Sequence, residues 1–225
     1  MDQTPIHENH NPDLLAVMPP QARKIVEVGC SSGALAREYK KAHGSASRYI
    51  GIEIDESFAE LARRHCDDVH VANIETATKL LWKKLAGADC WVFGDTLEHL
   101  KDPWTVLSQI RETIPETGTV VCCIPNAQHW SVQVRLNIGD FRYGESGLLD
   151  KTHLRWFTRQ TIIEMFTGAG FEVTGLYSRI FNEPGRDGFV ELLGQLAAKA
   201  GTDAKQAMQD ALPLQYVLTA KPTKT

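Results

Sequence analysis

The chain has no apolar run near the roughly 20 residues that a membrane-spanning helix requires, and it contains no internal repeat or low-complexity stretch. Charge of one sign is also lacking: 24 Lys and Arg stand against 28 Asp and Glu, a formal net charge of −4. No basic field exists to gather a polyanion, so nucleic acid is disfavoured as a partner. Cysteine is sparse, and none of the five, Cys30, Cys66, Cys90, Cys122 and Cys123, forms a C-x-x-C pair. That spacing argues for free buried thiols and against a zinc site or a disulfide frame. Cys122 and Cys123 fall on opposite sides of one expected strand, which leaves one of them able to reach a pocket. No ligand spacing asks for any other metal. The polar start, MDQTPIHENHN, has no basic segment followed by an apolar one, so no secretory signal is expected and the location is expected to be cytoplasmic.

What is present is a regular alternation. At 225 residues and 43% hydrophobic content, the chain supports one sizeable core, and one domain over 1–225 is expected. Short apolar runs at 24–28, 48–54, 69–72, 89–93, 119–124, 171–178 and 215–220 read as seven strands. Between them, amphipathic stretches at about 32–42, 56–66, 76–85, 104–114 and 160–167 read as helices. Further helical pieces occupy 189–198 and the stretch up to Ala211. Asp102-Pro103 is an N-cap and first-turn pair, Thr158 caps a helix, and Gly44, Gly87, Gly168 and Gly170 end helices. The fold class is α/β: a doubly wound, Rossmann-like, mostly parallel sheet with helices on both faces.

The stretch VEVGCSSGALAREY, Val26 to Tyr39, runs from a β-branched strand through a glycine-rich bend into an amphipathic helix. That arrangement turns backbone N–H groups at the helix start into open space. Gly29-Cys30-Ser31-Ser32-Gly33 satisfies the G-x-S-x-G pattern of a hydrolase nucleophile elbow, but only one short polar leader precedes it, where such an elbow follows several strands. The dinucleotide fingerprint G-x-G-x-x-G fails, because Ser31 and Ala34 take its second and third glycine positions. What fits is acidic-x-G-x-small-x-G: Glu27, Gly29, Ser31, Gly33. One βα unit later Glu53 closes YIGIEID, and a carboxylate at a strand's carboxyl end can accept two hydrogen bonds from a vicinal diol. Asp55 is the fallback if the strand boundary slips.

This pattern resembles the first motif of class I S-adenosylmethionine-dependent methyltransferases, and the resemblance extends over most of the chain. It implies S-adenosylmethionine as cofactor and a last strand running antiparallel beside the sixth. It also implies that Glu53 holds the ribose hydroxyls, that Asn73 in VANIE reads the adenine amino group, and that FGDTLEHLKDP is the motif after the fourth strand. The implied cofactor-binding set is Glu27, Gly29, Cys30, Ser31, Gly33, Glu53, Ile54, Asn73, Ile74, Gly94, Asp95, Thr96 and His99. Two departures stand out: the family more often has Asp at the position of Asn73, and Cys30-Ser31-Ser32 replaces a commoner Gly-Thr version. His99 either faces the pocket or bonds neighbouring backbone.

After strand five the sequence reads AQHWSVQVRLNIGDFRYGESGLLDKTHLRWFT, denser in polar and aromatic groups than a crossover needs. A mostly helical lid over about 127–157 is expected to carry the acceptor. The segment resembles that of a methyltransferase subgroup associated with glycosyltransferases and with O-antigen or polysaccharide biosynthesis, which implies a glycan or small-molecule acceptor. An alcohol acceptor needs a base, with His129 first and His153 second. Arg135, Arg142 and Arg155 either hold a carboxylate or phosphate of the acceptor or pair with Asp140, Glu145 and Asp150 within the lid. Three readings remain open: transfer to oxygen, transfer to nitrogen or a carboxylate, and a cofactor-binding regulatory or scaffold subunit without turnover. DNA adenine methylation is disfavoured, since GDTLEH lacks the clamp for a flipped base. A homodimer is left open.

Overall fold

A computed structural model describes residues 8–224; most of the polar start read above lies outside them. After a short helix α1, Pro12–Val17, the chain alternates β1 Lys24–Val28, α2 Ala34–His43, β2 Arg48–Glu53, α3 Glu56–Ala62, β3 Asp68–Val71, α4 Lys79–Leu85, β4 Cys90–Gly94, α5 Pro103–Thr113 and β5 Thr119–Pro125. Then come α6 Trp130–Asn137, α7 Arg159–Gly168, β6 Phe171–Arg179, α8 Arg186–Lys199, α9 Ala204–Asp210 and β7 Gln215–Pro222.

The strands form one seven-stranded sheet in the order β3-β2-β1-β4-β5-β7-β6. Strands β1 to β5 are parallel, and β7 lies antiparallel between β5 and β6. Because side chains alternate along a strand, the sheet divides two cores. Val26, Val28, Trp91, Phe93 and Cys122 pack with Leu85, Val106, Leu107, Ile110, Ile162 and Phe166 of α4, α5 and α7. Ile25, Tyr49, Val92 and Cys123 pack on the opposite face with Leu14, Leu35, Ala36, Tyr39 and Ala62 of α1, α2 and α3. Both Cys122 and Cys123 are fully buried, so neither reaches a pocket, and all five cysteines are free and buried.

The chain leaves β1 for β2 on one side and reaches β4 on the other, so the sheet order reverses between β1 and β4. A crevice therefore opens at their carboxyl ends, the place where open parallel sheets bind ligands. Over that end lies the segment that follows β5. It was expected to be mostly helical, but it holds one helix, α6; from 138 to 158 the path is irregular, fixed by isolated bridges between Asn126 and Phe157 and between Gly144 and Asp150. Asn126 anchors it: its Nδ2 donates to the carbonyls of Asp210 and Pro213, both at 2.8 Å, and its Oδ1 accepts from the Gln128 N–H.

Close approach of β2 to the loop after β1 depends on Gly51. A Cβ there would stand 2.5 Å from Cys30 Sγ and 3.4 Å from Cys66 Sγ. Gly51→Ala is expected to lower stability by about 1–3 kcal/mol, the usual cost of overpacking, and Cys30→Ala in that background should recover part of the loss. Urea midpoints of the two variants check this; a neutral Gly51→Ala would show that the approach is not a constraint.

Candidate active site

The loop from Gly29 to Gly33 is held by its own amides. The N–H groups of Gly29 and Cys30 donate to the Ile52 carbonyl at 2.8 and 3.2 Å, and that of Gly33 donates to the Cys30 carbonyl at 2.8 Å. Ser31 N–H donates to Glu53 Oε2 at 2.8 Å, while Glu53 Oε1 accepts from Ile54 and Asp55 N–H. The amides of Gly29, Cys30, Ser31 and Gly33 are thus bonded within the protein, whereas the helix start that follows has no side-chain cap bond at Gly33. Ser31 and Asp95 are the non-glycine residues with positive φ among the described residues, at 48° and 52°, and they sit on the two loops that face each other across the crevice. Gly29, at φ +74°, is pressed against Thr96: a Cβ there would lie 2.7 Å from Thr96 Oγ1, which itself donates to the Val28 carbonyl at 2.9 Å.

Strand β2 ends on Glu53, 5% exposed, and Asp55 is spent as the N-cap of α3 through its bonds to Ser57 and Phe58 N–H. Glu53 is therefore the carboxylate at the crevice, with one backbone donor on Oε2 and two on Oε1. The side chain of Ile54 is 44% exposed beside it. Asn73 caps a single helical turn, its Oδ1 accepting from Glu75 N–H at 2.9 Å, so its carbonyl oxygen already has one partner. Ile74 is buried behind it. Glu27 lies below the loop, buried, and accepts from the Tyr49 hydroxyl at 2.9 Å. Burial pushes its carboxyl up to about 8 against the lowering effect of that hydrogen bond, and the charge of Glu53 adds to the rise.

Around the loop after β4, Asp95 accepts from the Gln215 amide at the start of β7. His99 and His153 meet edge to face, ring centroids 4.8 Å apart, and His153 Nε2 is 4.0 Å from Glu98 Oε1. Glu98 is 1% exposed, and neither of its carboxylate oxygens has a hydrogen-bond partner. Its carboxyl is held well above the ordinary range, chiefly by burial and then by the charges of Asp95 and Asp150.

His129 stands at the N-terminus of α6, 1% exposed, with both ring nitrogens engaged. Nδ1 is 2.8 Å from Ser131 Oγ and Nε2 is 3.3 Å from Glu183 Oε2, an oxygen that also accepts from Trp130 Nε1 at 2.6 Å. Burial keeps the His129 imidazole below its ordinary value, opposed by Glu183. Ser131 lines a cavity of about 480 Å³ together with Arg135, Arg142, Tyr143, Leu149 and Leu214. Asp140 pairs with both Arg135 and Arg142, Lys151 takes Glu145 at 2.8 Å, and Arg155 lies over Trp104. Phe141, Tyr143 and Trp156 form an aromatic group, with Tyr143 58% exposed.

The charge of the crevice discriminates between ligands. A nest of free amides suits a phosphate, but here the amides of Gly29, Cys30, Ser31 and Gly33 are taken up within the protein, and the carboxyl groups of Glu53 and Asp95 stand on the loops that border the crevice. Two carboxyl groups there suit a cationic ligand bearing a ribose. A family model described as a methyltransferase domain matches residues 8–176. The chain belongs to that family. Its methyl donor is S-adenosylmethionine, whose sulfonium and ammonium charges suit these carboxylates.

This methyltransferase is 26% identical over 102 residues to the ubiquinone biosynthesis O-methyltransferase of Acinetobacter baylyi, an alignment that spans 44% of this chain and 42% of that protein. Among solved structures, the S-adenosylmethionine dependent methyltransferase from Mesorhizobium loti is similar with a TM-score of 0.61 at 15% identity, over 93% of this chain and 96% of that one. The plantazolicin methyltransferase BpumL in complex with SAH gives 0.58 at 12% identity, over 90% and 77% of the two chains. Both share the fold. Sequence reasoning passed over Glu98, Ser131, Glu183 and Gln215. Glu98 was visible beside His99, whereas the other three acquire their partners through tertiary contacts.

Glu27 generates a pH prediction. Its carboxyl has an ordinary value near 4.5 when unfolded and about 8 when folded, so between these values the folded protein holds a proton that the unfolded chain has released. Its contribution is complete below about 4.5 and is lost as pH rises through about 8. Relative to the wild type, Glu27→Gln should gain stability with rising pH across this window, with a slope of up to about 1.4 kcal/mol per pH unit. Denaturation at several pH values checks it; parallel curves would show that Glu27 ionises freely in place.

Proposed function

We propose that this methyltransferase acts on a hydroxyl of a sugar residue or a related small polar metabolite. In this reading the cofactor lies between the loop after β1, Glu53, Asn73 and the loop after β4, within one domain whose segment 127–157 carries the acceptor. The observation that carries it is the line Glu183–His129–Ser131, which ends on the wall of the lid cavity. Leu214 on its wall is followed by Gln215, which bonds Asp95 of the loop after β4. A glycan or a nucleotide-sugar fits its mixture of arginines and an exposed tyrosine, and the Acinetobacter relative is itself named an O-methyltransferase.

S-adenosylmethionine, when bound there, would supply an electrophilic methyl group for the acceptor oxygen. The chain's part is to align the reactants, exclude water and take the proton. His129, kept neutral by burial, can receive the acceptor proton through Ser131 Oγ, and Glu183 then steadies the imidazolium. Glu53 Oε2, with one backbone donor, keeps acceptor capacity for a ribose hydroxyl. Tyr143 and Trp156 offer faces to a sugar ring.

Titration calorimetry with S-adenosylhomocysteine should show binding to the wild type that is lost in Glu53→Ala. His129→Ala and Ser131→Ala should keep that binding and lose roughly 10²–10⁴-fold in turnover on a hydroxyl acceptor. Wild-type turnover should stay level through neutral pH and fall only below the ordinary histidine range, the direction that the His129 environment dictates. Full turnover by His129→Ala on the true acceptor would remove the relay and favour an amine or carboxylate acceptor.

A further inference from the structure

Glu98 is the one residue with both side-chain oxygens buried and unpartnered among the described residues. A carboxylate removed from water without hydrogen bonds is costly unless a proton or a cation joins it. Two imidazoles are within reach: ligand atoms of Glu98, His99 and His153 all lie within 4.8 Å of one another. We propose that Glu98, His99 and His153 form a binding site for a first-row divalent transition metal.

Three features support a built site. First, the His99 ring is oriented from behind: its Nδ1 lies 3.2 Å from the Thr152 carbonyl and 3.1 Å from Thr152 Oγ1, which leaves Nε2 for an ion. Thr152 is in turn fixed by Asp150 Oδ1, which accepts from its N–H at 2.8 Å and its hydroxyl at 2.7 Å. Such outer partners set the tautomer and direction of metal-bound histidines. Second, the backbone holds the two halves together, since the N–H groups of Leu154 and Arg155 both donate to the Glu98 carbonyl, at 2.8 and 3.0 Å. Third, Asp95 and Asp150 add negative potential at Glu98, a field that favours a cation.

The donor set chooses the ion. Two imidazoles and one carboxylate suit zinc, iron, cobalt or manganese better than calcium, which prefers oxygen alone. Ligand atoms around such an ion stand roughly 3–3.5 Å apart, so the three side chains close on it by small rotations. Three protein ligands leave a further coordination position open, as in metal sites that bind a small molecule. Glu98 and His99 follow β4 beside the cofactor loop, whereas His153 belongs to the lid, so the ion ties the two together.

The test uses the full chain, stripped with a chelator and titrated with Co²⁺ and Zn²⁺ by calorimetry and visible absorption. Wild type should bind one equivalent, show a cobalt spectrum of mixed nitrogen and oxygen ligation, and melt at higher temperature with metal than without. Glu98→Gln and His153→Ala should each weaken binding by at least about 10-fold. Without metal, Glu98→Gln should melt no lower than wild type, because it relieves a buried carboxyl, so its loss of binding cannot be ascribed to unfolding. Absence of binding by wild type, or equal binding by wild type and Glu98→Gln, overturns the site and leaves Glu98 a buried protonated acid. S-adenosylhomocysteine binding, measured on the same samples, separates this result from failure of the cofactor assignment.

Discussion

The carboxylate of Glu53 ties together the parts on which everything else rests. It sits at the last position of β2 and accepts one amide from the loop after β1 and two from the start of the β2–α3 connection. Hydrogen bonds to a charged acceptor are the strong ones, and here they close a loop that would otherwise leave buried amides unpaired. With those amides consumed, the loop can hold Ser31 at a positive φ that a non-glycine residue rarely adopts. The same loop presses Gly29 onto Thr96 and so joins the β1 and β4 sides of the crevice.

One consequence is electrostatic. Nucleotide folds of the doubly wound type commonly meet a pyrophosphate with free amides. This crevice instead sets the carboxyl groups of Glu53 and Asp95 on its two sides, beside a loop whose Gly29, Cys30, Ser31 and Gly33 amides are already bonded. Such a site penalises an anion and rewards a cation, and S-adenosylmethionine is cationic where a dinucleotide is not. Glu27 takes part without touching the crevice loops: buried against Tyr49, it keeps its proton to about 8. A positive charge arriving nearby would favour releasing it.

Strands and caps were legible in the sequence because their causes are local. The apolar runs at Lys24–Val28 and Arg48–Glu53 have turn residues at both ends, and Asp102 and Thr158 cap the helices they precede. The stretch after β3 was read as helix from Thr76, but α4 starts at Lys79: Asn73 makes its own turn, and Thr78 supplies a second cap through its bond to Leu81 N–H. The lid was legible as a place but not as a path. Its composition marked it, yet residues 138–158 take their course from Asn126, from the Glu98 carbonyl and from aromatic contacts among Phe141, Tyr143 and Trp156, none of which has a sequence period. His129 was read as a base from its position after β5; its Ser131 and Glu183 partners came only with the fold.

The two histidine clusters divide the lid's work by how each is anchored. His129 hangs from Glu183, a residue on the β6–α8 connection, and from the N-terminus of α6, so its position follows the α8–α9 pair that packs Val190, Leu193 and Ala211 under Trp130. His153 is fixed instead to the sheet, through Glu98, whose carbonyl takes two lid amides. A movement of α6 that widened the cavity lined by Ser131 would therefore carry His129 with it and leave His153 in place beside the β4 loop.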